Sequence, residues 1–138
     1  MRYIGLDYGS KTVGVAVSDP FGWTAQPIET ITRKDEANLV STIERLREII
    51  TEYGVEAIVL GLPKNMNNTS GERVALTEKF QRRLVKEFEL EVIMCDERLS
   101  TIGASRVLDE AKMKKRKQKT VIDKLAAVFI LQGYLDGK

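Results

Sequence analysis

Two short apolar runs joined by a polar turn open the chain and constrain its fold more than any other stretch. The alternating apolar positions are Ile4, Leu6, Val13, Val15 and Val17. Side chains of a β-strand point alternately to the two faces of a sheet, so this period of two predicts a pair of strands. The turn Gly9-Ser10-Lys11 between them predicts an antiparallel hairpin.

Asp7 lies at the end of the first of these strands, among apolar neighbours. A carboxylate buried there is costly unless a cation or a metal ion offsets its charge. Gly9 and Gly14 allow the backbone to approach a ligand closely, and successive N–H groups in a turn can bind an anion. This combination indicates metal-assisted phosphate chemistry. A structural alternative also stands, in which Asp7 begins an Asx-turn and the glycines only shape the hairpin.

The composition is that of an ordinary globular protein. Apolar residues make up 43% of the 138 and charged residues 30%, which is typical of folded chains. A chain of this length forms one domain and buries about two thirds of its unfolded surface. No apolar run approaches the roughly 20 residues that span a bilayer, and the chain begins with a strand rather than a signal peptide. We therefore expect a cytoplasmic protein without membrane contact.

Histidine is absent and cysteine occurs once. The absence of histidine excludes Ser-His-Asp and Cys-His nucleophilic catalysis, as well as zinc sites with histidine ligands. Cys95 lies in an apolar run, so we interpret it as a buried small residue, and a disulfide framework is excluded. Acid–base and metal chemistry must therefore fall to carboxylates.

Positive charge is concentrated in one segment. The net charge is only +2, yet residues 112–119 hold 6 of the 22 basic residues, and the rest of the chain has 16 basic against 20 acidic residues. Such a run is either a solvated surface or a nucleic-acid contact, and its concentration in an otherwise mildly acidic chain favours the second. Because the run interrupts the apolar pattern, we interpret it as a mobile loop.

Strand and helix patterns follow the hairpin. A third strand is predicted over 24–33, and Pro27 indicates that this strand lies at an edge of the sheet or begins there. We expect Asp35 to cap a helix that runs to about Tyr53 and ends at Gly54. The first half of the chain therefore reads as a meander of three antiparallel strands followed by one helix.

Two later apolar runs lack alternation, as in strands buried on both faces of a sheet. They cover residues 57–63 and 91–95. Residues 69–72 between them match a capping box, which predicts the start of a second helix. Helices between strands are typical of parallel crossovers.

Two further helices are predicted after the last strand. One runs from about Ser100 or Thr101 to Met113, and the final one begins with a cap at Thr120. The apolar face of the final helix comprises Val121, Leu125, Val128, Phe129 and Leu135. The order βββαβαβαα predicts an α/β fold with a mixed five-stranded sheet, in which parallel strands extend three antiparallel ones and helices flank the sheet.

Three carboxylates fall at the ends of predicted elements: Asp7, Glu97 just past the last strand, and Asp123 in the first turn of the final helix. Ligands of open α/β sheets gather beyond the carboxyl ends of parallel strands. The three can meet there if the final helix packs across the sheet. Carboxylates without histidine favour Mg²⁺ or Mn²⁺, which take oxygen ligands. Each also has a local alternative: Glu97 can pair with Arg98, and Asp123 can complement its helix dipole.

These residues resemble the YqgF/RuvX family of the ribonuclease H-like superfamily, whose members are described as Holliday-junction-resolvase-like pre-16S rRNA nucleases. The resemblance covers nearly the whole chain. Its motifs are Gly5–Lys11 with Val13–Ala16, Gly61–Pro63, Asp96–Thr101, and Ile122–Asp123 with Leu125–Ala127. It implies a ribonuclease H-like fold in which Asp7, Glu97 and Asp123 are the catalytic, metal-binding residues. Leu62-Pro63 stands where many nucleases of the superfamily carry an acidic residue, and Glu97 takes that place from the next strand.

The resemblance implies metal-assisted hydrolysis of phosphodiester bonds in the maturation of the 5′ end of 16S rRNA. The residues expected to hold neighbouring phosphates are Ser10, Lys11, Asn65, Asn67, Arg98, Lys114, Lys115, Arg116 and Lys117. The partner is then precursor 16S rRNA, alone or within a small-subunit precursor. We expect a monomer or a weak homodimer.

Three rivals remain open. A DNA junction resolvase would need two sites and hence a dimer. A nucleotide-binding lobe of the actin-like ATPases has a similar Asp-x-Gly-Ser turn, but those proteins clasp nucleotide between two lobes and this chain has room for one. A non-catalytic RNA-binding factor would show no metal dependence.

Overall fold

A computed structural model shows a five-stranded sheet with helices on both faces. It describes residues 1–62, 71–96 and 115–137, with the backbone alone for residues 96 and 115–124. The strands are β1 (Tyr3–Tyr8), β2 (Thr12–Ser18), β3 (Ala25–Thr32), β4 (Ala57–Leu62) and β5 (Glu91–Asp96). The helices in the described ranges are α1 (Val40–Tyr53), α2 (Gly71–Phe88) and α3 (Lys115–Asp136).

The sheet is mixed, as predicted. Its strand order is β3-β2-β1-β4-β5, with antiparallel pairing from β1 through β2 to β3 and parallel pairing from β1 through β4 to β5. The carboxyl ends of β1, β4 and β5 therefore lie at one edge of the sheet. The helix predicted between residues 100 and 113, and the capping residues Thr69 and Ser70, lie outside the described residues.

The strand β3 lies at the edge of the sheet, in agreement with its proline. Pro27 pairs with Ala16 and Glu29 pairs with Val15, so the strands shift register and Ile28 has no partner in the ladder. Proline lacks the N–H that a central strand would need, and an edge position tolerates this.

Alternation along β1 divides the core into two layers. Ile4, Leu6 and Tyr8 pack with apolar residues of α1 and α2 on one face. Tyr3 packs with residues of α3 on the other face, and Asp7 shares that face because strand side chains alternate. The helix α3 thus crosses the face on which Asp7 lies.

The predicted start of α1 at Asp35 is wrong. The helix begins at Val40 without a side-chain cap, because residues 35–39 form a turn of their own. Within this turn the Asp35 carboxylate accepts a hydrogen bond from the N–H of Ala37 (3.0 Å), and the Asn38 side-chain oxygen accepts one from Val40 (3.2 Å). The predicted end is confirmed, since Gly54 adopts a left-handed conformation with φ of 64°.

The predicted start of the final helix at Thr120 is also wrong. Helical backbone begins at Lys115, so residues 115–119 of the basic segment are not a loop; residues 112–114 lie outside the described ranges. Lysine and arginine are good helix formers, and a break in apolar spacing does not end a helix. The backbone leaves helical geometry at Leu125 (φ −114°, ψ 18°), where two helical pieces meet at a kink.

The buried face of α3 differs from the predicted one. Ala127, Ile130, Leu131 and Leu135 are buried, whereas Leu125, Val128 and Phe129 are only partly buried. Cys95 is also partly rather than fully buried, with its sulfur 3.8 Å from the carbonyl oxygen of Ile130. Among the described helices, none is long and apolar enough to cross a membrane.

Candidate active site

Asp7 is flanked by glycine on both neighbouring strands. It pairs with Gly14 of β2. On the other side, Leu6 pairs with Leu60 of β4, so the next position, Asp7, lies beside Gly61. Glycine has no side chain, so neither neighbouring strand places a side chain beside the partly buried Asp7 at these two positions.

The helix α3 comes unusually close to the sheet at this site. A Cβ atom on Gly5 would lie 2.6 Å from Cβ of Leu131 and 3.0 Å from the carbonyl oxygen of Ala127. At Gly14 the nearest atoms would be Cβ of Ala127 at 3.5 Å and Cβ of Asp7 at 3.6 Å. Ala127 therefore lies close to Asp7. Asp123 precedes Ala127 by four residues, across the kink at Leu125.

The turn after Asp7 is closed by its own backbone. The N–H of Gly9 donates to the carbonyl of Thr12 (2.7 Å), so it is not available to close an Asx-turn on Asp7. A carboxylate that does hold a turn lies at the other end of β2, where Asp19 accepts hydrogen bonds from the N–H groups of Thr24 and Trp23. These bonds, that from Thr24 foremost, lower the pKa of Asp19. Asp7 therefore does not have the structural role that Asp19 has.

Two arginines that the sequence analysis did not single out hold the residues directly after Asp7. The Nη2 atom of Arg33 donates to the carbonyl of Gly9 (2.7 Å), and that of Arg73 donates to the carbonyl of Tyr8 (3.2 Å). Both guanidinium groups lie over the Tyr8 ring, with Cζ atoms 4.7 and 5.0 Å from its centre. Phe80 stacks on the same ring at 4.2 Å. No short motif marks these arginines, because their role depends on contacts between distant elements.

Comparison with known proteins decides the family. The sequence profile of RuvX, described as a Holliday junction resolvase, matches residues 1–137. The chain belongs to the RuvX family. The nuclease-family prediction is thereby confirmed.

Named relatives match over their full length. A protein of Lachnospira eligens is 55% identical over 138 residues, which cover 100% of this chain and 99% of the relative. A protein of Geobacillus thermodenitrificans has the same identity and coverage. Both are named "Putative pre-16S rRNA nuclease".

Solved structures of the same fold support the predicted ribonuclease H-like architecture. RuvC of Thermus thermophilus, solved in complex with a Holliday junction substrate, matches with a TM-score of 0.62 and 15% identity, covering 99% of this chain and 95% of that chain. The fowlpox virus resolvase with Holliday junction DNA matches with a TM-score of 0.50 and 14% identity, covering 99% and 98%. At these identities the likeness concerns the fold.

The other predicted site residues of this RuvX protein are described to different extents. Ser10 and Lys11 are exposed in the turn after Asp7. Only the backbone is described for four residues of α3: Lys115, Arg116, Lys117 and Asp123. Five others lie outside the described residues: Asn65, Asn67, Glu97, Arg98 and Lys114. Among the side chains that are described, no three acidic or cysteine residues form a metal-sized group. The triad of Asp7, Glu97 and Asp123 therefore stays a prediction.

Proposed function

We propose that this RuvX-family protein is a metal-dependent endonuclease that hydrolyses phosphodiester bonds of precursor 16S rRNA during maturation of its 5′ end. The relatives' names support the substrate. The observation that carries the chemistry is the position of Asp7, a partly buried carboxylate between two glycines under α3. Without histidine, cleavage by this chain would depend on carboxylates.

The surroundings of Asp7 fit a divalent cation. Among the side chains and backbone groups that the structure describes, none makes a hydrogen bond or ion pair with its carboxylate. A partly buried carboxylate without a partner is unfavourable until a cation offsets its charge. Mg²⁺ and Mn²⁺ prefer such oxygen ligands.

Glu97 and Asp123 would complete this set of ligands. Glu97 directly follows β5, whose carboxyl end shares an edge with that of β1. The strand β4 separates the two, a span of roughly 10 Å. Asp123 lies on α3, four residues before Ala127 and on the other side of the kink at Leu125.

The chain's own residues would bind and orient the substrate. When bound, the metal ion would supply charge stabilisation and activate water for attack on phosphorus. Ser10 and Lys11 in the exposed turn would bind phosphates beside the scissile bond, together with Asn65, Asn67 and Arg98. The basic residues Lys114, Lys115, Arg116 and Lys117 would contact phosphates along the strand, which makes affinity salt-dependent and largely independent of sequence.

The test is cleavage of a 5′-extended precursor 16S rRNA fragment by purified protein with Mg²⁺, Mn²⁺ or EDTA. We expect cleavage with a metal ion and none with EDTA. Asp7→Asn should reduce cleavage to background, because it removes the carboxylate charge and keeps the shape. Asp19→Asn is the matched control: the amide oxygen can still accept the two hydrogen bonds of its turn, so activity should remain within about twofold of the wild type. Full activity of Asp7→Asn, or undiminished cleavage in EDTA, would refute the proposal.

A DNA junction resolvase is the second candidate, favoured by the description of the family. A four-way DNA junction in the same assay separates the two. Metal-dependent, symmetric cutting of the junction by a dimer, without cleavage of the RNA fragment, would favour the second candidate.

A further inference from the structure

Arg33 is a buried cation at the end of β3 and has few partners for its charge. Only 5% of the residue is exposed. Its Nε and Nη1 atoms are buried, and among the residues that the structure describes no hydrogen-bond partner is found for them. Arginine stays protonated in proteins, so burying it carries the full cost of a charge. An apolar residue of similar volume would fill this place at lower cost, which indicates a role beyond packing.

What Arg33 holds is the turn after Asp7, at two points. Its side chain donates to the carbonyl of Gly9 (2.7 Å) and its backbone N–H donates to the carbonyl of Lys11 (2.7 Å). Arg73 holds the preceding carbonyl, that of Tyr8, and is itself paired with Glu36. Three carbonyls on either side of Ser10, those of Tyr8, Gly9 and Lys11, are therefore held by residues outside the turn.

The bond to Gly9 also determines where the N–H of Ser10 points. In a planar trans peptide the C=O of one residue and the N–H of the next point in opposite directions. Arg33 lies over the ring of Tyr8, which packs on the α1 and α2 face, so the Gly9 carbonyl is drawn to that side. The N–H of Ser10 is thereby directed towards the opposite face, where Asp7 lies. Within the described part of the chain, no acceptor for this N–H is found.

We propose that Arg33 is a positioning residue, which orients the N–H of Ser10 towards a phosphate oxygen of the nucleic-acid backbone. Arg73 assists by fixing the peptide before it. The inference rests on the proposed function, since it assumes a phosphodiester substrate beside Asp7. Arg33 acts through the peptide rather than on the substrate, because Nε and Nη1 are sealed from solvent and Nη2 is engaged by Gly9.

The experiment follows the Ser10 amide by NMR in ¹⁵N-labelled protein. A single-stranded RNA oligonucleotide is added in EDTA, so that binding is observed without cleavage. In the wild type we expect a downfield shift of the Ser10 amide proton as it donates to phosphate. Arg33→Met should remove this shift and raise Kd about tenfold, the loss of one hydrogen bond to a charged acceptor. Arg33→Lys keeps a charged donor for the Gly9 carbonyl and should restore part of the Ser10 shift and part of the RNA affinity.

The matched control is Arg47→Met. Arg47 lies on α1 over the Phe88 ring (5.1 Å) and pairs with Glu87 (3.1 Å), so it makes the same kinds of contact away from Asp7. This variant should keep the wild-type shift of Ser10 and the wild-type Kd. Thermal unfolding shows whether each variant is folded. If Arg33→Met does not fold, the Ser10 shift and the Kd of Arg33→Lys decide the test.

The outcomes separate this inference from the proposed function. A Ser10 shift of equal size in the wild type and both Arg33 variants overturns the inference, as does RNA binding that leaves wild-type Ser10 unmoved. Cleavage with Mg²⁺ is measured on the same samples. If Ser10 responds through Arg33 but nothing is cleaved, the proposed function fails and the phosphate-orienting role stands.

Discussion

Gly5 and Gly14 lie on the face of the sheet that α3 covers, and they differ in how much room they leave. A Cβ on Gly5 would overlap Leu131 and press on the Ala127 carbonyl, whereas a Cβ on Gly14 would make ordinary contacts. Gly5 therefore sets the distance between α3 and the sheet. Because α3 also carries Asp123, this distance bears on the candidate site.

We expect Gly5→Ala to lower the free energy of unfolding by about 2 kcal/mol, since α3 must move away from the sheet. Gly14→Ala, the matched control, should change it by less than about 0.5 kcal/mol. Urea unfolding of both variants measures the difference. Equal stability of the two would show that α3 does not pack as closely as the distances indicate.

At the scale of single residues, sequence reasoning finds groups whose chemistry is exceptional. Asp7 stands out because a carboxylate rarely ends an apolar strand, and Pro27 because it cannot serve a central strand. Arg33 and Arg73 do not stand out, because arginine is common. Both contact the Tyr8 ring of β1, but one follows β3 and the other lies on α2. Such a contact exists only once the chain is folded.

Among the elements, α1 is tied to the edge strand β3 by an ion pair. The Nε atom of Arg45 donates to both carboxylate oxygens of Glu29 (3.1 and 3.0 Å), and Arg45 also pairs with Glu48 (2.9 Å). The hydrogen bonds from Arg45 lower the pKa of the Glu29 carboxyl from its ordinary value of 4.5. Because the pair is about one third exposed, we expect it to contribute only about 0.5 kcal/mol.

This contribution depends on pH in a defined direction. A carboxyl with a lowered pKa in the folded state stabilises above its ordinary value of 4.5, and the stabilisation disappears as pH falls through the lowered value. Glu29→Gln should therefore reduce the melting temperature more at neutral pH than at a pH well below 4.5. Glu48→Gln, at a carboxylate whose side chain is 67% exposed, should show a smaller effect at neutral pH. An equal loss of melting temperature for Glu29→Gln at both pH values would contradict the conclusion that Arg45 lowers the pKa of Glu29.

The sequence predicts the elements better than their ends. The five strands, the parallel crossovers and the end of α1 at Gly54 are confirmed, because buried apolar runs and a left-handed glycine have few other interpretations. The start of α1 fails because Asp35 and Asn38 cap a separate turn. The start of α3 fails because a basic run is compatible with either helix or loop, and no local signal decides between them.

At the scale of the molecule, the proposed site depends on one edge of the sheet. Asp7 lies near the end of β1 and Glu97 follows β5, and the carboxyl ends of these two strands share that edge. Asp123 of α3 stays the predicted third acid. The sequence predicts a mixed sheet in which parallel strands extend three antiparallel ones, and the structure confirms it. The approach of α3 was not predictable, because it depends on how Gly5 and Gly14 meet Ala127 and Leu131.

The central claim is that these three acids hold one metal site, and a crystal of the protein soaked in Mn²⁺ tests it most directly. We expect an anomalous scattering peak within roughly 2.1 Å of carboxylate oxygens of Asp7, Glu97 and Asp123. In Asp7→Asn crystals soaked in the same way, most of the anomalous peak should disappear while the backbone stays unchanged. A structure in which the three carboxylates point into separate regions, with manganese at none of them, would contradict the account.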